Sequence, residues 1–357
     1  MSLADKKFKE MCNSILTSGT DTKGEAVRPI WPDTGEKAYT IKKFGVVNEY
    51  DLREEFPALT LRKTAIKSAM DEILWIFQRK SNNIKDLKPH IWDEWADENG
   101  SIGKAYGYQI GQTYIHHSIK NISSMSVEEF KNICESLRKN YPSLTIHFEP
   151  ESQSSESYIA TLKKQSEYKL DSIYYYPEKI YEYLIKNNIN EIFINFDQMD
   201  AVLYELRNTP YSRRIMTGIY NFKDLHEMGL NPCCWSCTFN VTDEGCDKLV
   251  LNMILNQRSN DVLAANNWNV VQYSLLLMMV AQCVDMIPGK LLHVIADAHI
   301  YDRHVPMIQE LLSREEFDAP IVKLNPEIKN FYDFTTDDIT IENYQHGEQI
   351  KNIPIAV

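Results

Sequence analysis

Several short runs in this sequence carry residues able to do chemistry. Cys233-Cys234-Trp235-Ser236-Cys237 follows Asn231-Pro232. A zinc site needs a second ligand pair at matching spacing. Cys246 and Cys283 stand singly, with no histidine at a ligand-like spacing beside them. A redox pair at Cys234-x-x-Cys237 lacks the strand–helix context that would support it. Two readings stay open: thiols buried in a strand, or a nucleophile among them. A nucleophile needs cations nearby, because the thiolate is the reactive form and arginine neighbours lower a thiol pKa.

Arginines do flank this run. Ser212-Arg213-Arg214 precedes it, and Gln257-Arg258-Ser259-Asn260-Asp261 follows it. Guanidinium forks with a serine hydroxyl bind a phosphate in bidentate fashion. No glycine-rich phosphate loop is present, so this is not an ATP-type site. Either run alone reads as solvated arginine on a turn; two runs around one cysteine point to a monophosphate pocket with a nucleophile. Asp297-Ala298-His299-Ile300-Tyr301 alternates like a strand end, which puts His299 and Tyr301 on one face, able to bond a sugar hydroxyl. A satisfied core histidine is the plainer reading. Ile91-Trp92-Asp93-Glu94-Trp95 sets two indoles among acids. It is either a half-buried turn with packed rings or the aromatic wall of a ligand site.

The elements that must position these groups follow from periodicity. Ile66, Ala69, Met70, Ile73, Leu74 and Phe77 predict a core-facing helix over about Thr64–Arg79. Ser126-Val127-Glu128-Glu129 is a capping box that opens a helix with Val127, Phe130, Ile133, Cys134 and Leu137 on one face. Leu144–Phe148 and Glu191–Phe196 read as strands, Pro177–Lys186 as a helix with proline in its first turn. Pro150–Ser157 reads as a polar exposed loop, and Tyr174-Tyr175-Tyr176 as packing. In the last part, Thr238–Val241, Leu249–Leu255 and Leu291–Ile295 are strand-like. Asn269–Ile287 is a buried helix stopped by Pro288-Gly289, and His299–Arg314 opens a further helix.

Composition narrows the class. The chain has 357 residues, a length for one large domain or two. Its formal charge of −12 argues against a basic nucleic-acid-binding surface. Seven cysteines and an opening that lacks an apolar core fit reduced thiols in a cytoplasmic protein. The apolar stretch Leu275–Ala281 is far too short to span a membrane.

Taken in order, the motifs resemble the folate-dependent, cysteine-nucleophile thymidylate synthases. The resemblance runs from Glu72-Ile73-Leu74-Trp75 through Ile91-Trp92-Asp93-Glu94-Trp95, Tyr106-Gly107 and Tyr211-Ser212-Arg213-Arg214. It continues through Pro232-Cys233, Gln257-Arg258-Ser259-x-Asp261, Asn269 and Asp297-x-His299-Ile300-Tyr301, and ends in Pro354-Ile355-Ala356-Val357. It covers nearly the whole chain except about Gln112–Asn190. It implies an α/β (α+β) fold: one catalytic domain over residues 1–357, elaborated at about 112–190. A mixed sheet of about six strands would pack helices on one side, and two subunits would join through their sheets.

The resemblance also implies a reaction. Cys233 would attack C6 of dUMP, and C5 would then take the one-carbon unit of 5,10-methylenetetrahydrofolate. Hydride from the folate would give dTMP and dihydrofolate. Carried over residue by residue, Cys233, Glu72, Tyr106 and Asp261 would be catalytic. Arg28, Arg258 and Ser259 would hold the phosphate, with Arg213 and Arg214 reaching over from the second subunit of a homodimer. Asn269 would read the uracil edge, which fits dUMP rather than dCMP. His299 and Tyr301 would bind the deoxyribose, and Asp261 the pyrimidine. Folate would meet Glu72, Ile91, Trp92, Asp261, Ala265, Trp268, Ala356 and Val357, the last closing over the site. Arg62-Lys63 could supply cations for a polyglutamate tail. No metal, membrane or nucleic acid enters this scheme. Cys234 stands where many members have histidine. Thr238, Asn240, Ala264–Trp268 and Ala296 also depart from the common pattern, and several of these are expected near the folate pocket. A dUMP hydroxymethylase and a nucleotide-binding dimer without turnover are the alternatives.

Overall fold

One long strand, Ile287–Tyr301, organises the sheet that carries the site. It pairs antiparallel with Thr40–Asp51 on one side. On the other it runs parallel to Val250–Gln257 and, further along, to Asn260–Asp261. Val250–Gln257 pairs antiparallel with Cys234–Thr242, which pairs with Met216–Gly218. The two-residue strand Thr20–Asp21 closes the opposite edge. The sheet is therefore mixed, with six strands in sequence across it and Asn260–Asp261 as a seventh.

Helix Asn266–Cys283 is buried almost all the way round, as a helix apolar on every side must be. It packs against helix Ile66–Phe77 and on the sheet. Helix Leu3–Ser18 adds Phe8, Met11, Cys12 and Ile15 to a core shared with Leu59, Leu61, Ile295, Ile300, Ile308 and Leu311. The opposite face of the sheet leaves Val47, Met216 and Ile254 exposed.

The computed structural model describes residues 2–148 and 177–357; the expected loop Pro150–Ser157 and the Tyr174–Tyr176 packing lie outside them. The chain divides into two compact units: residues Met1–Ile110 with Leu206–Val357, and residues Gly111–Glu205. The second holds a three-stranded antiparallel sheet in the order Tyr114–Lys120, Glu191–Phe196, Thr145–Phe148. Its described helices include Val127–Asn140 and Pro177–Lys186. The capping box at Ser126 and Glu129 forms in both directions. Among the described residues no helix is long and apolar enough to cross a membrane.

Three expectations are corrected. The buried helix runs over Asn266–Cys283, three residues earlier at its start and four earlier at its end than expected. Asp285 takes a left-handed φ of 57° just after it, and Pro288-Gly289 lies instead at an irregularity in the long strand. A proline has no N–H to give a ladder, so such a position suits it. His299–Tyr301 is strand, not helix: His299 pairs with Lys42 and Tyr301 with Thr40. The helix opens only at Val305, with Pro306 in its first turn. Thr238 and Asn240 lie on strand Cys234–Thr242, by alternation on the face opposite buried Cys237 and Phe239.

Between helix Ile66–Phe77 and the sheet, Tyr106 sits at φ 46° and Gly107 follows it. A Cβ on Gly107 would come 2.1 Å from the Ser81 carbonyl oxygen. Gly107→Ala is expected to lower stability by about 1–3 kcal/mol, read from the midpoint of urea unfolding. An unchanged midpoint would show that the contact relaxes freely.

Candidate active site

Glu72 lies in the most apolar helix of this unit and is only 5% exposed. A carboxyl in such a place needs hydrogen bonds or a proton. It has the bonds: Trp92 Nε1 donates to Oε1 at 2.8 Å, and Trp268 Nε1 to Oε2 at 2.6 Å. Burial still pushes Glu72 up to about 7, opposed by the two indoles and the Gln272 amide. Its charge therefore changes near neutrality.

The plainer reading of the tryptophan run holds: it is a turn with packed rings. The Trp92 ring packs against Trp75, Trp95 and Tyr106, with centroids 6.0, 5.7 and 4.7 Å away. Its polar edge is spent on Glu72. From there the site passes to the cysteine: the Tyr106 hydroxyl accepts the Cys233 backbone N–H at 3.3 Å. Cys233 stands just ahead of strand Cys234–Thr242, and Arg258 just after strand Val250–Gln257. Cys234 pairs with Gln257, so the cysteine and the arginine arrive side by side. The Arg258 guanidinium donates to the Pro232 and Asn231 carbonyls at 2.9 and 2.7 Å and lies 3.8 Å from Cys233 Sγ. The cation was expected to lower the Cys233 pKa. Arg258 does pull it down, but burial is the larger effect and the net direction is up. The cysteine behind it, Cys234, is fully committed to the core and pushed higher by burial.

A chain of amides fixes Asn269. The Gln257 NH2 faces the Ser259 carbonyl at 3.0 Å, and a carbonyl only accepts. Gln257 Oε1 must therefore face the donors Asn260 Nδ2 and His293 Nε2, at 2.9 and 2.6 Å. His293 carries its proton on Nε2, and burial lowers its pKa to about 3, so it stays neutral. The same Gln257 NH2 donates to Asn269 Oδ1 at 3.0 Å, and Asn269 Nδ2 donates to Gln272 at 3.1 Å. Asn269 thus keeps one acceptor and one donor position for a ligand.

The far wall is the end of the long strand. His299 bonds Asp297 at 2.9 Å and packs edge-on to Tyr301. Burial pushes Tyr301 up to about 12, with Asp261 and Cys233 adding and Arg28 opposing. These groups therefore surround one phenol. Asp261 caps the next turn by accepting the Leu263 and Ala264 N–H groups, each at 3.0 Å. Burial acts against its charge, yet His304, His299 and the Ala264 N–H hold it below the usual range.

Arg28 is exposed at the start of a loop anchored by Trp31. Trp31 is buried, donates to Asp302 at 3.2 Å and lies under the Arg303 guanidinium. The segment ending in Val357 pairs with this loop: Ile30 N–H donates to the Val357 oxygen at 2.8 Å, and Val357 N–H to the Ile30 oxygen at 3.1 Å. Ala356 and Val357 are half-buried there, while Ile91 is exposed beside Trp92. Ala265 lies next to Asp261, its N–H donating to the Asp261 carbonyl at 2.9 Å. Ser259 is half-buried between the two short strands. Arg213 and Arg214 are exposed and take no part in this cluster within one chain. Arg62 is buried with a bond to the Leu263 carbonyl, so it is not a free surface cation. Trp31 and His304 received no role from the sequence, because Trp31 meets Asp302 and His304 meets Pro354 across long stretches of chain.

Comparison with known proteins shows the family. Residues 6–149 and 164–357 match the sequence model of the family described as thymidylate synthase. The chain belongs to the thymidylate synthase family. Thymidylate synthase 1 of Bacillus subtilis (strain 168) is 31% identical over 353 residues, 98% of each chain. The thymidylate synthase of Bacillus phage phi3T is 30% identical over the same share. The solved structure of thermostable thymidylate synthase A from Bacillus subtilis covers 99% of each chain with a TM-score of 0.71 and 30% identity. The family match corrects one expectation: it includes residues 112–149 and resumes at 164. Much of the stretch at 112–190 is thus shared with thymidylate synthases rather than lying outside the resemblance.

Trp268→Phe keeps the ring and removes the N–H. Because that N–H stabilises the charged carboxylate, Glu72 is expected to titrate about one unit above its present value near 7. Difference infrared spectroscopy of the carboxyl band against pH, with Glu72→Gln as blank, reads the midpoint. A midpoint that stays put would mean that the indole does not feel the charge.

Proposed function

We propose that this chain methylates dUMP to dTMP with 5,10-methylenetetrahydrofolate, through a covalent bond from Cys233 to C6 of the uracil. The observation that carries this reading is the juxtaposition of Cys233, Arg258 and Tyr106 with a buried carboxyl, Glu72, that titrates near neutrality. The donor set suits the ligands. Asn269 offers one acceptor and one donor to the N3–H and O4 edge. The apolar indole faces and the buried carboxyl suit a flat heterocycle with N–H groups.

In this reading, Arg258, Ser259 and Arg28 hold the phosphate, and Tyr301 and His299 hold the 3′-hydroxyl. A phosphate arriving beside Arg258 frees its guanidinium to turn toward the anion. Cys233 then attacks C6, which makes C5 nucleophilic. When bound, the folate supplies both the one-carbon unit and the hydride. Tyr106 and Glu72 would receive and pass on the proton leaving C5. Trp92, Trp268, Ile91, Asp261, Ala265, Ala356 and Val357 form the folate side and exclude water. All of these residues belong to the first compact unit; we take that unit as the catalytic domain. The exposed apolar residues Val47, Met216 and Ile254 on the open sheet face support a two-fold homodimer. The second copy would bring Arg213 and Arg214 to the phosphate. The enzyme would act in the cytoplasm.

Incubation with dUMP and methylenetetrahydrofolate tests the reading. The expected result is dTMP by mass spectrometry, with an equal amount of dihydrofolate by absorbance. A hydroxymethyl product with tetrahydrofolate would replace this reading with the hydroxymethylase, and bound dUMP without product would replace it with the binding dimer. Cys233→Ser is expected to abolish turnover and keep dUMP binding; retained turnover would remove Cys233 as nucleophile. Asn269→Asp is expected to shift preference toward dCMP, measured as the ratio of the two kcat/KM values.

A further inference from the structure

His304 has no role in the scheme above, yet it is fully buried and touches both ends of the site. It ends the single turn Asp302–His304 that follows the long strand. Its Nε2 lies 2.8 Å from the Pro354 carbonyl oxygen. A carbonyl only accepts, so Nε2 carries a proton. Its Nδ1 lies 3.4 Å from Asp261 Oδ1. That oxygen already accepts two backbone N–H bonds, which favour the ionised carboxylate. An imidazole between a carbonyl and a carboxylate is drawn to hold protons on both nitrogens.

The other groups facing it do not cancel this charge. Asp302 adds to it and is itself engaged by the Trp31 indole. The rings of Trp31 and Tyr301 pack against the imidazole with centroids 5.9 and 5.4 Å away. Burial works against the charged form, but Asp261 and the Pro354 carbonyl raise the His304 pKa overall. Trp31 follows Ile30, the residue that pairs with Val357. The Arg28 loop, the closing segment and His304 are therefore one packed assembly.

We propose that His304 is a positioning residue that couples docking of the closing segment, Asn352–Val357, to the negative charge on Asp261. This rests on the reading of Asp261 and that segment as parts of the substrate site. Docking brings the Pro354 oxygen to Nε2 and raises the proton affinity of the ring. The imidazolium then keeps Asp261 ionised. By reciprocity, removing the charge at Asp261 loosens the segment.

The test uses the whole protein without ligands. Hydrogen exchange of residues 350–357 is followed by mass spectrometry at neutral pH. Asp261→Asn keeps the cap to Leu263 and Ala264 but removes the charge, and is expected to speed exchange of this segment about fivefold or more. His304→Gln keeps a donor for Pro354 but offers none to Asp261, so in that background Asp261→Asn should change nothing further. An unaltered exchange rate in Asp261→Asn, or equal acceleration in both backgrounds, would overturn the coupling. If His304→Gln fails to fold, the imidazole nitrogen titration of His304 decides: its pKa falls in Asp261→Asn if the coupling exists and stays if it does not. Folate binding to Asp261→Asn is measured alongside. Weak binding with unaltered exchange would remove the coupling and keep the role of Asp261. Normal binding with fast exchange would do the reverse.

Discussion

A carboxyl group buried in an apolar helix is the constraint on which the rest of this site depends. Glu72 cannot stay charged there without donors, and the two it has come from indoles on separate elements. Trp92 arrives from the head of the short turn Asp93–Trp95, and Trp268 from the first turn of the central helix. Holding both in reach fixes how the helices Ile66–Phe77 and Asn266–Cys283 meet. That contact in turn sets Asn269 one residue on from Trp268, and Tyr106 against the Trp92 ring. The donors reduce the cost of the charge without removing it, which is why the group titrates near neutrality.

The site pairs this responsive group with an unresponsive one. From Asn269 inward, Gln257, Asn260 and His293 form a neutral buried network whose orientation is dictated by a backbone carbonyl. Asn269 is thus insulated from changes of pH that alter Glu72. On the other side, Asp261 and His304 lie 3.4 Å apart, and each favours the charged form of the other.

The chemistry-bearing residue types were legible in the sequence, and so was the helix over Ile66–Phe77, whose apolar spacing is local. Cys233, Arg258, Glu72, Tyr106, Asn269, Asp261, His299 and Tyr301 could be named from type, order and resemblance. What could not be read was who holds them. Trp268 meets Glu72 across 196 positions of chain, and His304 meets Pro354 across 50. No local period encodes such pairs. Local signals also misled where tertiary pairing won: Pro288-Gly289 resembles a helix stop, but the ladder with Val250–Gln257 draws it into a strand. The sequence left a buried thiol and a cation-activated one both open, and at Cys233 burial proved the stronger influence.

The indoles on Glu72 have an optical consequence. Indole emission responds to charge within hydrogen-bonding distance, and here two of the chain's six tryptophans grip one titrating carboxyl. Protonation of Glu72, or the arrival of any molecule that displaces Trp92 or Trp268 from it, will change the colour and yield of their fluorescence. The protein carries its own dye beside its buried titrating carboxyl.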